Sequence, residues 1–178
     1  RPFNGLIFDG SNDYMDCGNK IGVMLSATDG LTIEFWLKSP TPESGTRRGI
    51  IDRGTVTPYS VRWRDTNAIS FSVLDGGVAR DVVVGNKTTW VANRWYHVAI
   101  AYKLGKANIW VDAVRDNSST AIFGIDASTN NLDIGRAGTS YFLGSLVLVR
   151  IWKRALLATD ISALFASPYA PMGTRMFM

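Results

Sequence analysis

Between Trp95 and Ala113 the chain reads WYHVAIAYKLGKANIWVDA. Tyr96, Val98, Ile100 and Tyr102 alternate with Trp95, His97, Ala99 and Ala101. A short Leu-Gly-Lys turn follows, then a second alternating run through Ile109 and Val111. Period-two alternation on both sides of a Gly-containing turn specifies a β-hairpin with one face buried. A helix of 3.6-residue period would scatter these apolar residues over its whole surface.

The rest of the chain carries the same signature. Leu31, Ile33, Phe35 and Leu37 form one face of a strand, with Thr32, Glu34, Trp36 and Lys38 on the other. Shorter runs are predicted at Asn4–Phe8, Asp13–Cys17, Ile50–Asp52, Tyr59–Arg64, Ile69–Leu74, Arg80–Val84 and Asn131–Arg136, with a long apolar one at Leu143–Trp152. Turn formers such as Asp9-Gly10-Ser11-Asn12 and Asp75-Gly76-Gly77 separate them. Strands this closely spaced fit an antiparallel sandwich or barrel. One helix is predicted over Thr159–Ala166, with Thr159 as its cap, Ile161, Leu164 and Phe165 on one side, and Pro168 as its stop.

At 178 residues and 46% hydrophobic composition, the chain suits one core better than two. The net charge is +4, and 13 of the 19 basic residues are arginine. They are scattered along the sequence, without the basic stripe or recognition helix of a nucleic-acid binder. Solubility, or attraction to acidic glycans or a negative surface, accounts better for the charge. The single Cys17 excludes an intrachain disulfide and any cysteine-based zinc site. No apolar stretch is long enough to span a bilayer as a helix. The opening Arg1-Pro2-Phe3 reads as a processed product or an excised piece.

Read together, LIFDGSNDYMDCG, LTIEFWLK, RWYHVAIAY, IWVDA, LDIGRA, FLGSLVLVRIWKRAL and TDISALF resemble, in order and spacing, the laminin-G-like, concanavalin A-type jelly roll. The resemblance runs from about Gly5 to Phe165. It implies an all-β antiparallel sandwich over residues 1–167, followed by an apolar tail at 168–178. It also implies surface recognition or display, either glycan binding and adhesion or a structural role in a capsid decoration or fibre subunit. Such domains in phages commonly sit on virion surfaces, and the lack of a disulfide favours a phage or bacterial setting over a eukaryotic secreted one. The expected location is a virion surface or extracellular.

Two positions depart from the family pattern. Where relatives often carry an acidic pair that helps hold calcium, this chain has Val147 and Leu148, and calcium needs oxygen ligands. Where relatives usually have Gly after Val-Asp, it has Ala113.

The same jelly roll also hosts glycosidases, which need paired carboxylates. The chain holds only Glu34 and Glu43, and nothing acidic follows Glu34 at the second or fourth position. His97 is the only histidine available as a base, and it reads as a structural strand residue. A non-enzyme is therefore expected.

For binding, Trp63 flanked by Arg62 and Arg64 is the most site-like group, with Trp90 and Asn93 as a second candidate. An aromatic face stacks on sugar C–H surfaces while nearby polar groups read hydroxyls. Tyr59, Val61 and Trp63 share one strand face, however, so core, ligand platform and oligomer contact all stay open for Trp63. Asp9, Asp13, Asp16 and Asp112 are the candidate calcium ligands, against the competing reading that turn carboxylates bond their own backbone. Met172, Met176, Phe177 and Met178 make an apolar tail that either packs back on the domain or docks on a partner. The expected partners are thus a glycan or neighbouring structural subunits, with neither nucleic acid nor membrane insertion.

Overall fold

The computed structural model describes residues 5–19, 30–42, 44–54 and 58–169. Its strands are β1 (Leu6–Asp9), β2 (Met15–Asp16), β3 (Leu31–Lys38), β4 (Arg48–Asp52), β5 (Tyr59–Trp63), β6 (Ile69–Asp75) and β7 (Val78–Val84). They continue as β8 (Tyr96–Lys103), β9 (Lys106–Val111), β10 (Val114–Ser118), β11 (Asp133–Ile134), β12 (Arg136–Ala137), β13 (Ser140–Tyr141) and β14 (Leu143–Trp152). The single described helix is α1 (Ala158–Ala166).

Two six-stranded antiparallel sheets face each other. The first runs β1-β14-β3-β8-β9-β10 and the second β2-β11-β4-β5-β6-β7, while β12 and β13 pair separately. The order puts the last strand between the first and third, as a jelly roll requires. The core follows from strand parity. Ile33, Phe35, Leu37, Val98 and Ile100 of the first sheet pack with Ile51, Tyr59, Val61, Phe71 and Val73 of the second, all at most 1% exposed.

The central hairpin forms as its alternation requires, with Val98 opposite Val111 and Ile100 opposite Ile109. Asp112 and Ala113 then turn the chain into β10 with φ of 51° and 63°. Positive φ at both central residues is the demand of a type I′ turn. The turn keeps this geometry with an alanine in place, at a steric penalty that glycine escapes.

The outer face of β3 departs from simple alternation. Thr32 and Glu34 are fully buried and Trp36 nearly so, because α1 lies across them. Phe165 stacks on Trp36 at 5.6 Å and sits 5.9 Å from His97. Ala99, Ala101, Trp110, Leu156, Ile161 and Leu164 make a second, smaller core beneath the helix. The Thr32 hydroxyl donates to the Arg154 carbonyl and accepts from the Leu156 N–H, both at 2.8 Å, which ties the approach to the helix down onto β3.

Two local expectations are corrected. Thr159 lies inside the first helical turn; the N-cap is Leu157, whose N–H donates to the Asp160 carboxylate at 3.1 Å. The strand predicted over Asn131–Arg136 is broken at Gly135, where φ is 92° and a Cβ would lie 2.2 Å from Phe8. The chain then leaves the second sheet, and β12 folds over β4. That overlay requires Gly49, since a Cβ there would meet the Ala137 nitrogen at 1.8 Å.

Candidate functional site

Alternation along β5 decides what its candidate residues can touch. Val61 and Trp63 turn into the sandwich, and Ser60 and Arg62 turn out. Trp63 is 2% exposed and Trp90 is 4% exposed. Their rings pack 4.9 Å apart, and both indole N–H groups donate to the Asn67 carbonyl, at 3.0 and 2.7 Å. Tyr96 meets Trp90 edge-on at 4.9 Å. The two tryptophans thus anchor the Asn67 turn, and neither offers a ring face to solvent. Asn93 is exposed in the loop leading to β8, and its backbone N–H donates to the Ser39 carbonyl at 2.8 Å.

Arg62 and Arg64 lie on the other side of the sheet. They line a cleft of about 220 Å³ with Arg47, Ser70, Ser72 and Asp81. The floor is set by register: Arg62 pairs with Ser70, and Ser72 pairs with Asp81, so all four share the outer face. Ser72 donates to the Asp81 carboxylate at 2.6 Å, and Arg64 forms an ion pair with the same carboxylate. Burial pushes the Asp81 carboxyl up, but the Ser72 and Arg64 hydrogen bonds and the Arg64 and Arg47 charges outweigh it, leaving its pKa below the ordinary value. Arg62 is half-buried, and its guanidinium makes no hydrogen bond or ion pair with any described residue. Arg80 lines the edge, but its guanidinium lies over the Phe123 ring at 5.7 Å.

Sequence reasoning had paired Arg62 and Arg64 with Trp63 and missed Arg47, Ser70, Ser72 and Asp81. The alternating serines of ISFSVLD were the available signal for the floor. Arg47 had none, because only the fold of the loop before β4 brings it there.

A second cleft, of about 420 Å³, lies over Tyr96 between Lys87, Arg94, Arg115, Asp112 and Asp116. Its acids are already engaged. Asp116 accepts the Asn86 and Lys87 backbone N–H groups, each at 2.9 Å, and Asp112 accepts from His97 N–H and Arg94.

The four candidate calcium ligands also bond to neighbouring chain. Asp9 accepts the Ser11 and Asn12 N–H groups, which hold its carboxyl below the usual range. Asp13 accepts the Asp9 N–H. Asp16 accepts Gly18 N–H and the Asn131 amide, with the same downward effect. Among the described residues no group of three or more His, Cys, Asp or Glu is placed to hold a metal. Val147 is buried opposite Trp36 and Leu148 forms a bulge with φ of 51°, so the two positions that the resemblance associates with calcium offer no side-chain oxygen and do not fit the ion.

Glu34 cannot reach a substrate. It is fully buried beneath α1, with one carboxylate oxygen taken by Arg150 and the other 3.3 Å from His97 Nε2. Glu43 and the tail residues Met172, Met176, Phe177 and Met178 lie outside the described residues.

The profile of the concanavalin A-like lectin/glucanases superfamily matches residues 9–162 of the chain. The chain belongs to that superfamily. No curated protein matches it in sequence. Among solved structures, the binding domain of botulinum neurotoxin serotype G is similar, with a TM-score of 0.64 and 18% identity over 91% of this chain and 42% of that one. The receptor binding domain of botulinum neurotoxin D gives 0.65 and 14% identity, over 90% and 43%. A protein of Bacteroides ovatus assigned to carbohydrate binding gives 0.63 and 21% identity, over 91% and 47%. The chain thus spans less than half the length of each, and at these identities the likeness is one of fold. No described helix is long and apolar enough to cross a membrane.

Proposed function

We propose that this domain is a non-catalytic carbohydrate-recognition module acting outside the cell, with its ligand in the outer-face cleft of the second sheet. The observation that carries the reading is the meeting of Arg62, Arg64, Arg47 and the serine floor in one solvent-open depression. Guanidinium donors in a shaped cleft are what saccharide oxygens require. The superfamily, and the similarity in fold to a protein assigned to carbohydrate binding, support it. The test is retention on a glycan array, followed by titration calorimetry of any saccharide retained. Binding of at least one glycan class is expected; no retention and no heat at millimolar saccharide would overturn the reading.

A second reading, a structural subunit on a phage virion or bacterial surface, draws on one observation. Strand β1 is an edge strand among the described residues, and it presents Ile7 at 79% and Leu6 at 38% exposure. An apolar sheet edge is a template for pairing with another chain. The apolar tail is proposed to serve the same docking. Light scattering across protein concentrations tests this reading: self-association that is lost in Ile7→Lys supports it, and a monomer throughout removes the self-pairing version.

A further inference from the structure

We infer that the outer-face cleft selects an acidic saccharide, and that Arg62 is the residue that receives its anionic group. The inference rests on the carbohydrate reading above and adds the charge of the ligand.

The cleft is lined by four arginines, Arg47, Arg62, Arg64 and, at its edge, Arg80, and by one acid, Asp81. Asp81 is committed to Arg64 and Ser72. One carboxylate balances one guanidinium, so the other three leave the cleft lining with a net charge of +3. A neutral sugar would leave that charge uncompensated in a partly desolvated site. An anion compensates it.

Arg62 is suited to the role by position. It projects from the middle of a sheet, between β4 and β6, where pairing with Gly49 and Ser70 fixes its backbone. Its guanidinium is half-buried and has no partner among the described residues. A fixed, partly desolvated fork of donors binds a carboxylate or sulfate through two parallel hydrogen bonds. Arg64, held by Asp81, and the exposed Arg47 then act as flanking charges.

Size narrows the ligand further. A cleft of about 220 Å³ is smaller than the roughly 300–1,000 Å³ of typical drug-sized pockets. It fits one sugar residue with its charged group, with the rest of a chain lying along the sheet. The sheet face thus recognises a single acidic residue within an oligosaccharide, in contrast to the extended contact that a long polyanion makes with a basic stripe.

The test titrates the whole chain with matched oligosaccharides: neutral, uronic-acid-containing and sulfated. A single-stranded oligonucleotide serves as a non-sugar polyanion, and salt is set at about 0.05 and 0.15 M. The acidic sugars are expected to bind at least about tenfold more tightly than the neutral one. Arg62→Gln should remove that preference with an unchanged melting temperature. Arg62→Lys, which keeps the charge but loses the fork, should recover only part of it. The uronic and sulfated arms identify which anion is preferred.

Equal binding of neutral and acidic sugars, insensitive to Arg62→Gln, overturns the inference and leaves carbohydrate recognition standing. Binding of no sugar at all overturns both. Oligonucleotide binding as tight as that of the acidic sugars, with steep loss at higher salt, also overturns it by showing a bare electrostatic patch.

Discussion

Trp63 shows how a residue that looks functional in the sequence is claimed by packing. Its neighbours on both sides are arginines, yet strand parity sends it into the sandwich beside Trp90, with its N–H committed to Asn67. Trp63→Ala is expected to cost about 3–5 kcal/mol, the range for emptying a buried aromatic site. Calorimetric melting measures this, and a fall of only a degree or two would show that the ring is not structural. Ala113 makes the opposite case. At φ 63° it holds a conformation that an L side chain adopts only with strain. Ala113→Gly is expected to stabilise the domain by about 0.5–1 kcal/mol, the strain relieved less the entropy glycine adds to the unfolded chain. A rise of about 1–4 °C in Tm should follow, and a decrease would mean that Ala113 is not strained.

Among the elements, the β5–β6–β7 group owes part of its outer-face order to Asp81, which joins Ser72 on β6 to Arg64 beyond β5. Because the folded state holds the Asp81 carboxyl below its ordinary pKa, its stabilisation is fully present above the unfolded value. It is lost as pH falls through the lower folded value. Asp81 is partly exposed, so the effect is worth no more than about 1 kcal/mol. Asp81→Asn should therefore melt below the wild type at pH 6, with the two curves converging towards pH ~3. Parallel curves across that range would show that the ion pair contributes nothing measurable. Strands β3, β5 and β8 show what alternation can and cannot tell. In LTIEFWLK and YHVAIAY the inward residues were legible, because burying one face of a strand imposes a period of two. The cover over Thr32, Glu34 and Trp36 was not legible, since it depends on α1 crossing β3 from more than a hundred residues away. Likewise the parity of Arg62 was readable from β5 alone, but its meeting with Arg47, Ser72 and Asp81 needed the registers of two further strands and a loop.

At the scale of the whole molecule, the domain has two apolar layers, and the question is whether they unfold together. One lies between the sheets and holds Trp63 and Trp90; the other lies beneath α1 and holds Trp110, with Trp36 beside it stacked on Phe165 of the helix. Strand β3 serves both layers, with Ile33, Phe35 and Leu37 facing one and Thr32, Glu34 and Trp36 facing the other. The strand on its far side from β8 is β14, which also runs directly into the segment leading to α1. Loosening the helix would expose Glu34 and His97 and free Arg150, whose guanidinium also donates to the Pro168 carbonyl at 3.2 Å beyond the helix. Those groups sit on the neighbouring strands β3, β8 and β14, so the outer layer cannot open far without disturbing the middle of the first sheet. A single cooperative transition is therefore expected. Trp36→Phe and Trp63→Phe variants would each silence one reporter, and their fluorescence melts should each coincide with that variant's far-UV circular dichroism melt. A fluorescence change from the outer layer that precedes the loss of strand signal would separate α1 as a locally unfolding unit. It would mean that β3 carries its two faces independently.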